Sequence, residues 1–529
     1  MKKRIVSLVL ATGILSGMLV GCGGASFSES VPPAPSSQSV SADPASMYPV
    51  EGSPKLQYWM PIHPNATKYI SSYSENEAYQ EIQKRTGIEI EFQHPATGQE
   101  QEQFNLMLAS KKLPDIIQRA DLYAGGIEKG YQDGAYIDLT PYLQEYAPDY
   151  YNLIMADEEL QREIFTEDGK ILAFYKIQPN PVPPWCRALA RKDWLEEFGM
   201  EPPTTLEEYE AYFQAVKENK PDAAPLMLPS TDANINQREI FYGAFDMLPG
   251  WYVVDGKIHY GNGDPQLKEY LTVMHDWYEK GYISSDFASV EQNQIWAMFD
   301  AGQLGMYVDA VAARNDVMRK VFIGLPYPRQ TIDSKYHAAL ANWPCAGDAT
   351  AISTSCKDIE NAMKFLNYAY TEEGSMLYNF GIEGVTYNMV DGKPKYTDYI
   401  LHNPKFDTPA ANYILRIHFA PKYMPGSPLE FNPTMAKDEQ AVADRMRFCD
   451  DPNVDSAFRI PPIKYTPEET EEIASIMSNV KTYSQEMIMK FITGAESLDN
   501  FDAYIEQVNA YGLDRAVELT QNAYDRYMN

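Results

Sequence analysis

Apolar positions along the chain fall into short runs of period two, separated by longer runs spaced three to four residues apart. Leu56 to Met60 and Ile88 to Phe92 alternate as strands, while Ser74 to Thr86, closed by Gly87, and Glu100 to Ala109 carry helical spacing. Leu113 to Ile117 starts a further strand, and Gly134 to Pro141 runs into helical residues Tyr142 to Tyr146. Strands separated by helices of this length predict βαβ units, a parallel sheet and an α/β fold. Further on, Thr205 to Asn219 places Leu206, Tyr209, Phe213 and Val216 on one helical face, and Val253 to Tyr260 reads as a hairpin turning at Asp255-Gly256. Pro265 to Lys280 is helical, Gly302 to Asp309 and Val321 to Pro326 are strands, and Ala349 to Thr354 precedes a helix over Lys357 to Tyr370. The C-terminal part is mostly helical. Thr466-Pro467-Glu468-Glu469 is a capping box with proline at the first helical position, launching a helix that Gly494 stops. Two more helices follow, over Ser497 to Tyr511 and Asp514 to Met528.

One stretch breaks the pattern. After the short strand Ile171 to Tyr175 come Pro179, Pro181, Pro183 and Pro184, which exclude helix and central strand alike. Trp185 and Arg187 follow, and Arg187 to Lys192 leads into a helix over Asp193 to Phe198. A strand, a stiff extended crossing and a change of pattern suit passage between two lobes, with Lys176 to Asn180 as the pivot; a Pro-rich surface loop is the plainer reading.

The length of 529 residues also favours more than one core. The formal charge of −30 repels phosphate backbones and excludes nucleic acid as an expected partner. Residues 1–21 read as a signal peptide: Lys2-Lys3-Arg4 precede the apolar run Ile5 to Val20. Leu19-Val20-Gly21-Cys22 then resembles a lipobox, implying lipidation at Cys22 and an extracellular, membrane-anchored location. Residues 22–54, rich in Ser, Pro, Ala and Gly, read as a tether. Cys186, Cys345, Cys356 and Cys449 lack metal or redox spacing and read as buried free thiols, although disulfides remain open. Gly261 to Asp264 lacks the acidic register of a calcium loop, so no metal and no cofactor is expected. No Ser-His-Asp, HExxH, P-loop or GxGxxG pattern occurs. Acidic pairs such as Asp157-Glu158 and Glu196-Glu197 leave a surface glycosidase or lyase open as the alternative.

Read in order, Leu113-Pro114-Asp115-Ile116-Ile117, Gly134 to Pro141, Gly169 to Ala173, Arg191 to Leu195 with Pro203-Thr204-Thr205, Phe299 to Met306, Thr371 to Gly374 and Gly381 to Gly384 resemble the family-1 extracellular solute-binding proteins. These are the substrate-capturing lipoproteins of carbohydrate ABC importers. The run from Phe491 to Phe501 is similar to a large Gram-positive oligosaccharide-binding subgroup. The resemblance implies a two-lobe α/β fold with hinge strands, closing without catalysis over an oligosaccharide and delivering it to permease subunits as a monomer. A peptide cargo and a sensor role remain as alternatives. The lobes are expected to comprise 55–177 with 326–366, and 178–325 with 367–529.

The resemblance places ligand contacts at Arg119, Asp121 and Tyr123, at Trp185 and Arg187, at Asp232 and Asn234, and at Asp309. Trp59, Trp251, Trp343 and Tyr387 are added as aromatic platforms because each lies at a strand end or in a loop, where a sugar's C–H face could stack. Trp194 and Trp277 sit on helical patterns and read as core.

Overall fold

The computed structural model describes residues 47–401 and 451–528, except 64–65, 68, 167, 178–185, 229–239, 291–293, 296, 299–300, 311–320 and 339–344. Its first sheet takes β1 (Lys55–Trp59), β2 (Glu89–Gln93), β3 (Ile116–Gln118), β4 (Phe174–Ile177) and β12 (Cys345–Ile352) in the order β2-β1-β3-β12-β4. β1 pairs in parallel with β2 and β3, as the alternation of strands and helices predicts, whereas β12 runs antiparallel to both β3 and β4. Alternation in β1 sends Leu56 and Tyr58 into a large core on one face, and Trp59 into a small cluster with Phe104, Ile117 and Tyr136 on the other.

Among the helices that flank this sheet are α1 (Glu77–Thr86), α2 (Glu100–Ser110), α3 (Gly126–Gln132) and α4 (Glu158–Ile164). Asn76 caps α1 by accepting from Tyr79 N, and Gly87 ends it at φ 75°. A Cβ at Gly87 would lie 2.5 Å from Val50 O, and Val50 N donates to Thr86 O at 2.7 Å. The ordered fold therefore begins before Leu56. Tyr48 Oη donates to Lys364 O at 2.6 Å, so the last residues assigned to the tether are part of the packed body.

The second sheet has the order β10-β5-β9-β6, built from β5 (Cys186–Arg191), β6 (Ala224–Leu226), β9 (Leu304–Ala310) and β10 (Phe322–Gly324). β7 (Trp251–Val254) and β8 (Lys257–Tyr260) form the predicted hairpin beside it. α5 (Leu206–Asn219), capped by Thr205 and Glu208, buries Tyr209, Tyr212, Phe213 and Val216. Phe213 and Phe241 both meet the ring of Trp277 on α6 (Leu267–Glu279) edge-on, at 5.1 and 5.2 Å. Trp194 and Trp277 are core residues, 6% and 1% exposed. The C-terminal helices α9 (Pro467–Thr493), α10 (Phe501–Ala510) and α11 (Leu513–Met528) complete this core through Val480, Phe491, Tyr504 and Ala516.

The packing departs from the expected division in two places. Tyr327, Tyr336 and Ala338 belong to the second core, although 326–338 was expected in the first lobe. Conversely α8 (Glu372–Phe380), which follows α7 (Ile359–Asn367), and the hairpin β13 (Tyr387–Val390)–β14 (Lys393–Tyr396) pack on the first core through Tyr378, Phe380, Tyr387 and Tyr396. The apolar faces of residues 367–401 are complementary to α1 and α7 rather than to the C-terminal helices that follow in sequence. β11 (Tyr336–His337), the last element before the return, pairs with β15 (Val454–Asp455) inside the second core.

The start of α9 depends on a reciprocal cap. Glu469 N donates to Thr466 Oγ1 at 3.2 Å and Thr466 N donates to Glu469 Oε2 at 2.9 Å. Thr466→Ala is expected to lower stability by about 1 kcal/mol, and Thr466→Ser to recover it, as read by urea unfolding.

Candidate functional site

β3 ends in a tight reversal at the carboxyl edge of the first sheet, the edge where open α/β sheets present ligand loops. Arg119 adopts φ 58°, a left-handed conformation that turns the chain at once into a short 3-10 helix, Ala120–Leu122. The turn lets Arg119 Nε reach both oxygens of Asp121, at 3.3 and 3.1 Å. Their side chains keep 30% and 38% of their surface exposed, so the pair is an accessible fork of donors and acceptors. Gln101 Nε2 on α2 donates to Leu122 O at 3.0 Å, and Tyr136 Oη donates to Ala120 O at 3.1 Å, fixing the loop from both sides.

Tyr123 follows. Its ring meets Tyr136 edge-on at 6.0 Å, and its hydroxyl donates to Asp133 Oδ2 at 2.8 Å. Lys129 also bonds Asp133, and these two donors hold the carboxyl below its ordinary range. Burial and then Asp133 raise the Tyr123 hydroxyl above its usual range, so it stays a neutral donor. α3 approaches these rings closely because residue 130 is glycine: a Cβ there would lie 2.3 Å from Tyr136 Cε2. Arg119, Asp121 and Tyr123 thus share one braced loop, to which the structure adds Asp133, Lys129 and Gly130. The i,i+4 spacing of Lys129 and Asp133 was a visible signal for an ion pair on α3, but nothing local tied it to Tyr123.

In the second sheet Arg187 and Asp309 are direct partners in the antiparallel register of β5 and β9. Two expected contacts 122 positions apart in sequence (309 − 187) therefore share one rung of the ladder. Trp251 lies half-buried on β7 with its ring 4.9 Å from that of Tyr260. Trp185, Asp232, Asn234, Trp343 and Cys22 lie outside the described residues.

Two of the aromatic platforms are corrected. Trp59 is 5% exposed, with Phe104 edge-on at 5.6 Å. Tyr387 is also 5% exposed and packs against Phe380 at 5.7 Å. Neither offers a ring face to a sugar, because the opposing helix or hairpin covers it. Cys345 and Cys356 are free thiols, and burial pushes Cys356 up to about 12. Among the described residues no three His, Cys, Asp or Glu side chains gather as a metal site.

The site is a set of fixed hydrogen-bonding groups beside an aromatic ring on one of two α/β cores, suited to holding a polar solute. Residues 69–376, more than half of the chain, match the model of one family, described as bacterial extracellular solute-binding protein. The chain belongs to that family. It is an extracellular binding protein, not an enzyme. Lipoprotein LipO of Bacillus subtilis is 25% identical over 348 residues, 59% of this chain and 64% of LipO, so this alignment spans under two thirds of that relative. The polygalacturonan/rhamnogalacturonan-binding protein YtcQ of the same organism is 25% identical over 407 residues, 74% of this chain and 75% of YtcQ. The fructooligosaccharide ABC transporter substrate-binding protein FusA of Streptococcus pneumoniae is 21% identical over 480 residues, 85% of this chain and 86% of FusA. Its structure with kestose superposes at a TM-score of 0.71, covering 90% of this chain and 99% of FusA at 19% identity, and supports the two-lobe fold of the family.

Since Trp59 fills the small cluster behind this loop, Trp59→Ala is expected to cost about 3–5 kcal/mol of stability. Urea unfolding of that variant is the check; full stability with weakened ligand binding would reinstate Trp59 as a platform.

Proposed function

We propose that the protein captures an oligosaccharide between its two cores and delivers it to the permease of an ABC importer, working as a monomer held at the outer membrane face through lipidated Cys22. One observation carries the reading: each sheet has its own core, and the strands at the crossings, β4 and β5 on one pass and β12 on the other, are integral to the sheets they leave and enter. Such a body bends at its crossings rather than within its cores. Ligand that touches both lobes then stabilises the closed state by its differential contacts alone. The names of YtcQ, for polygalacturonan and rhamnogalacturonan, and of FusA, for fructooligosaccharide, support an oligosaccharide as the ligand class.

On the first core the Arg119–Asp121 fork supplies donors and acceptors for sugar hydroxyls, with Tyr123 beside it. On the second, Arg187 and Asp309, partners on one rung of the β5–β9 ladder, are the proposed polar contacts. Trp185 and Trp343 are the proposed aromatic contacts, and Asp232 and Asn234 the proposed carboxylate and amide contacts. A thioether-linked diacylglyceryl group at Cys22 supplies the two chains that stable anchoring requires.

Purified protein is to be screened against pectin-derived and fructose-based oligosaccharides, following melting temperature and the integrity of the sugar. A raised melting temperature with intact sugar is expected; turnover by the pure protein would establish the glycosidase or lyase instead. Asp121→Ala and Trp185→Ala are each expected to weaken binding at least about tenfold, the loss of roughly one charge-assisted contact, with unchanged melting of the ligand-free protein. Calorimetric titration that finds wild-type affinity in both variants rejects this wall.

A further inference from the structure

Beyond the crossings, a polar contact joins the two cores beside the hinge strands. The segment from Phe458 to Tyr465 is fastened to the second core: Val253 N donates to Phe458 O at 2.9 Å, and Arg459 bridges Tyr252. Tyr465 Oη meets Thr520 Oγ1 at 3.2 Å, and Arg526 Nη2 donates to Lys464 O at 3.2 Å. From this anchorage two cations reach across to the first core. Lys464 Nζ donates to Phe165 O at 2.7 Å, at the carboxyl end of α4, and lies 3.5 Å from Glu128 Oε1 of α3. A cation at the carboxyl end of a helix also meets the negative end of its dipole. Arg459, with 14% of its side chain exposed, lies 3.9 Å from Glu159 Oε1 on α4.

Between these contacts sits Glu163. Cys345 N donates to its Oε2 at 3.1 Å, while Oε1 is buried with no hydrogen-bond partner. Cys345 opens β12 and is the register partner of Ile177, the last residue of β4. Glu163 therefore grips the point where both crossing strands leave the first sheet. Its surroundings are Asp157 and Glu159 from α4 and its cap, Arg459 from the second core, and Tyr527 from α11, with Lys464 facing Cys345. Burial, with a smaller contribution from Glu159, pushes the Glu163 carboxyl up to about 7.

We propose that Arg459 and Lys464 form a clasp that holds the present relation of the two cores, and that Glu163 makes the clasp respond to protons. The inference rests on the two-core binding reading, whose sugar ligand it does not use. A carboxyl swung into water titrates near the ordinary glutamate value, about 4.3. The arrangement that buries Glu163 is therefore favoured in full below that value, and loses this advantage as pH rises through about 7. The Arg459–Glu159 contact, at 3.9 Å, is the part of the clasp that does not involve Glu163. Acidification tightens the relation of the cores, and alkalinity loosens it.

Small-angle scattering of the ligand-free protein at pH 5 and pH 8 tests this. The wild-type radius of gyration is expected to increase from pH 5 to pH 8. Glu163→Gln keeps an oxygen for Cys345 N but cannot ionise, so it is expected to hold its pH 5 value at both. Arg459→Gln with Lys464→Gln is expected to be expanded at both pH values, with circular dichroism confirming that both cores remain folded; if the double variant fails to fold, Lys464→Gln alone carries the test. Identical scattering of the clasp variant and wild type overturns the clasp, and a pH response of Glu163→Gln equal to that of wild type overturns the role of Glu163. A sugar screen without a hit leaves both readouts intact, so failure of the binding reading is distinguishable.

Discussion

The pairing of β12 with β3 on one side and β4 on the other is the constraint on which the rest depends. β12 is the returning strand: the chain has already built most of the second core when it re-enters the first sheet and fills the position between two strands laid down earlier. Without it, β3 and β4 have unpaired backbone groups in the middle of a buried sheet, and such groups are costly. Neither core can be finished before the chain has visited the other. The cores are separate in packing but interlocked in chain order.

Much of this was legible locally. Thr205, Thr466, Gly87, Gly199 and Gly494 mark helix ends where the structure has them, because caps are decided by a few neighbouring residues. Alternation located β1 and β2, and Asp255-Gly256 located the β7–β8 hairpin. Direction was less visible. The βαβ rhythm predicts parallel pairing and is right for β1, β2 and β3, but the course of β12, antiparallel to both β3 and β4, follows from where the chain returns, which no local pattern records. The misassigned segment 367–401 has the same origin: its apolar faces are plain in the sequence, but not the core that receives them.

The site divides along the same line. Arg119, Asp121 and Tyr123 follow a recognisable strand motif and sit together in sequence, so their sharing one loop was visible locally. Gly130 and Asp133 were missed because their roles arise only when α3 is laid against Tyr136 and Tyr123. Trp59 and Tyr387 were misread because a ring at a strand end is ambiguous until its far side is known, and here Phe104 and Phe380 lie against them.

The clamping of Tyr48 and Val50 has a mechanical consequence. Any load transmitted through Tyr48 and Val50 enters the first core, through Lys364 and the end of α1. A chain suspended from its N-terminus is thus hung by one half, like a hinge with one leaf screwed to the frame. The half that carries the three C-terminal helices is then the other leaf, joined to the first by the crossing chain and by the contacts of Arg459 and Lys464.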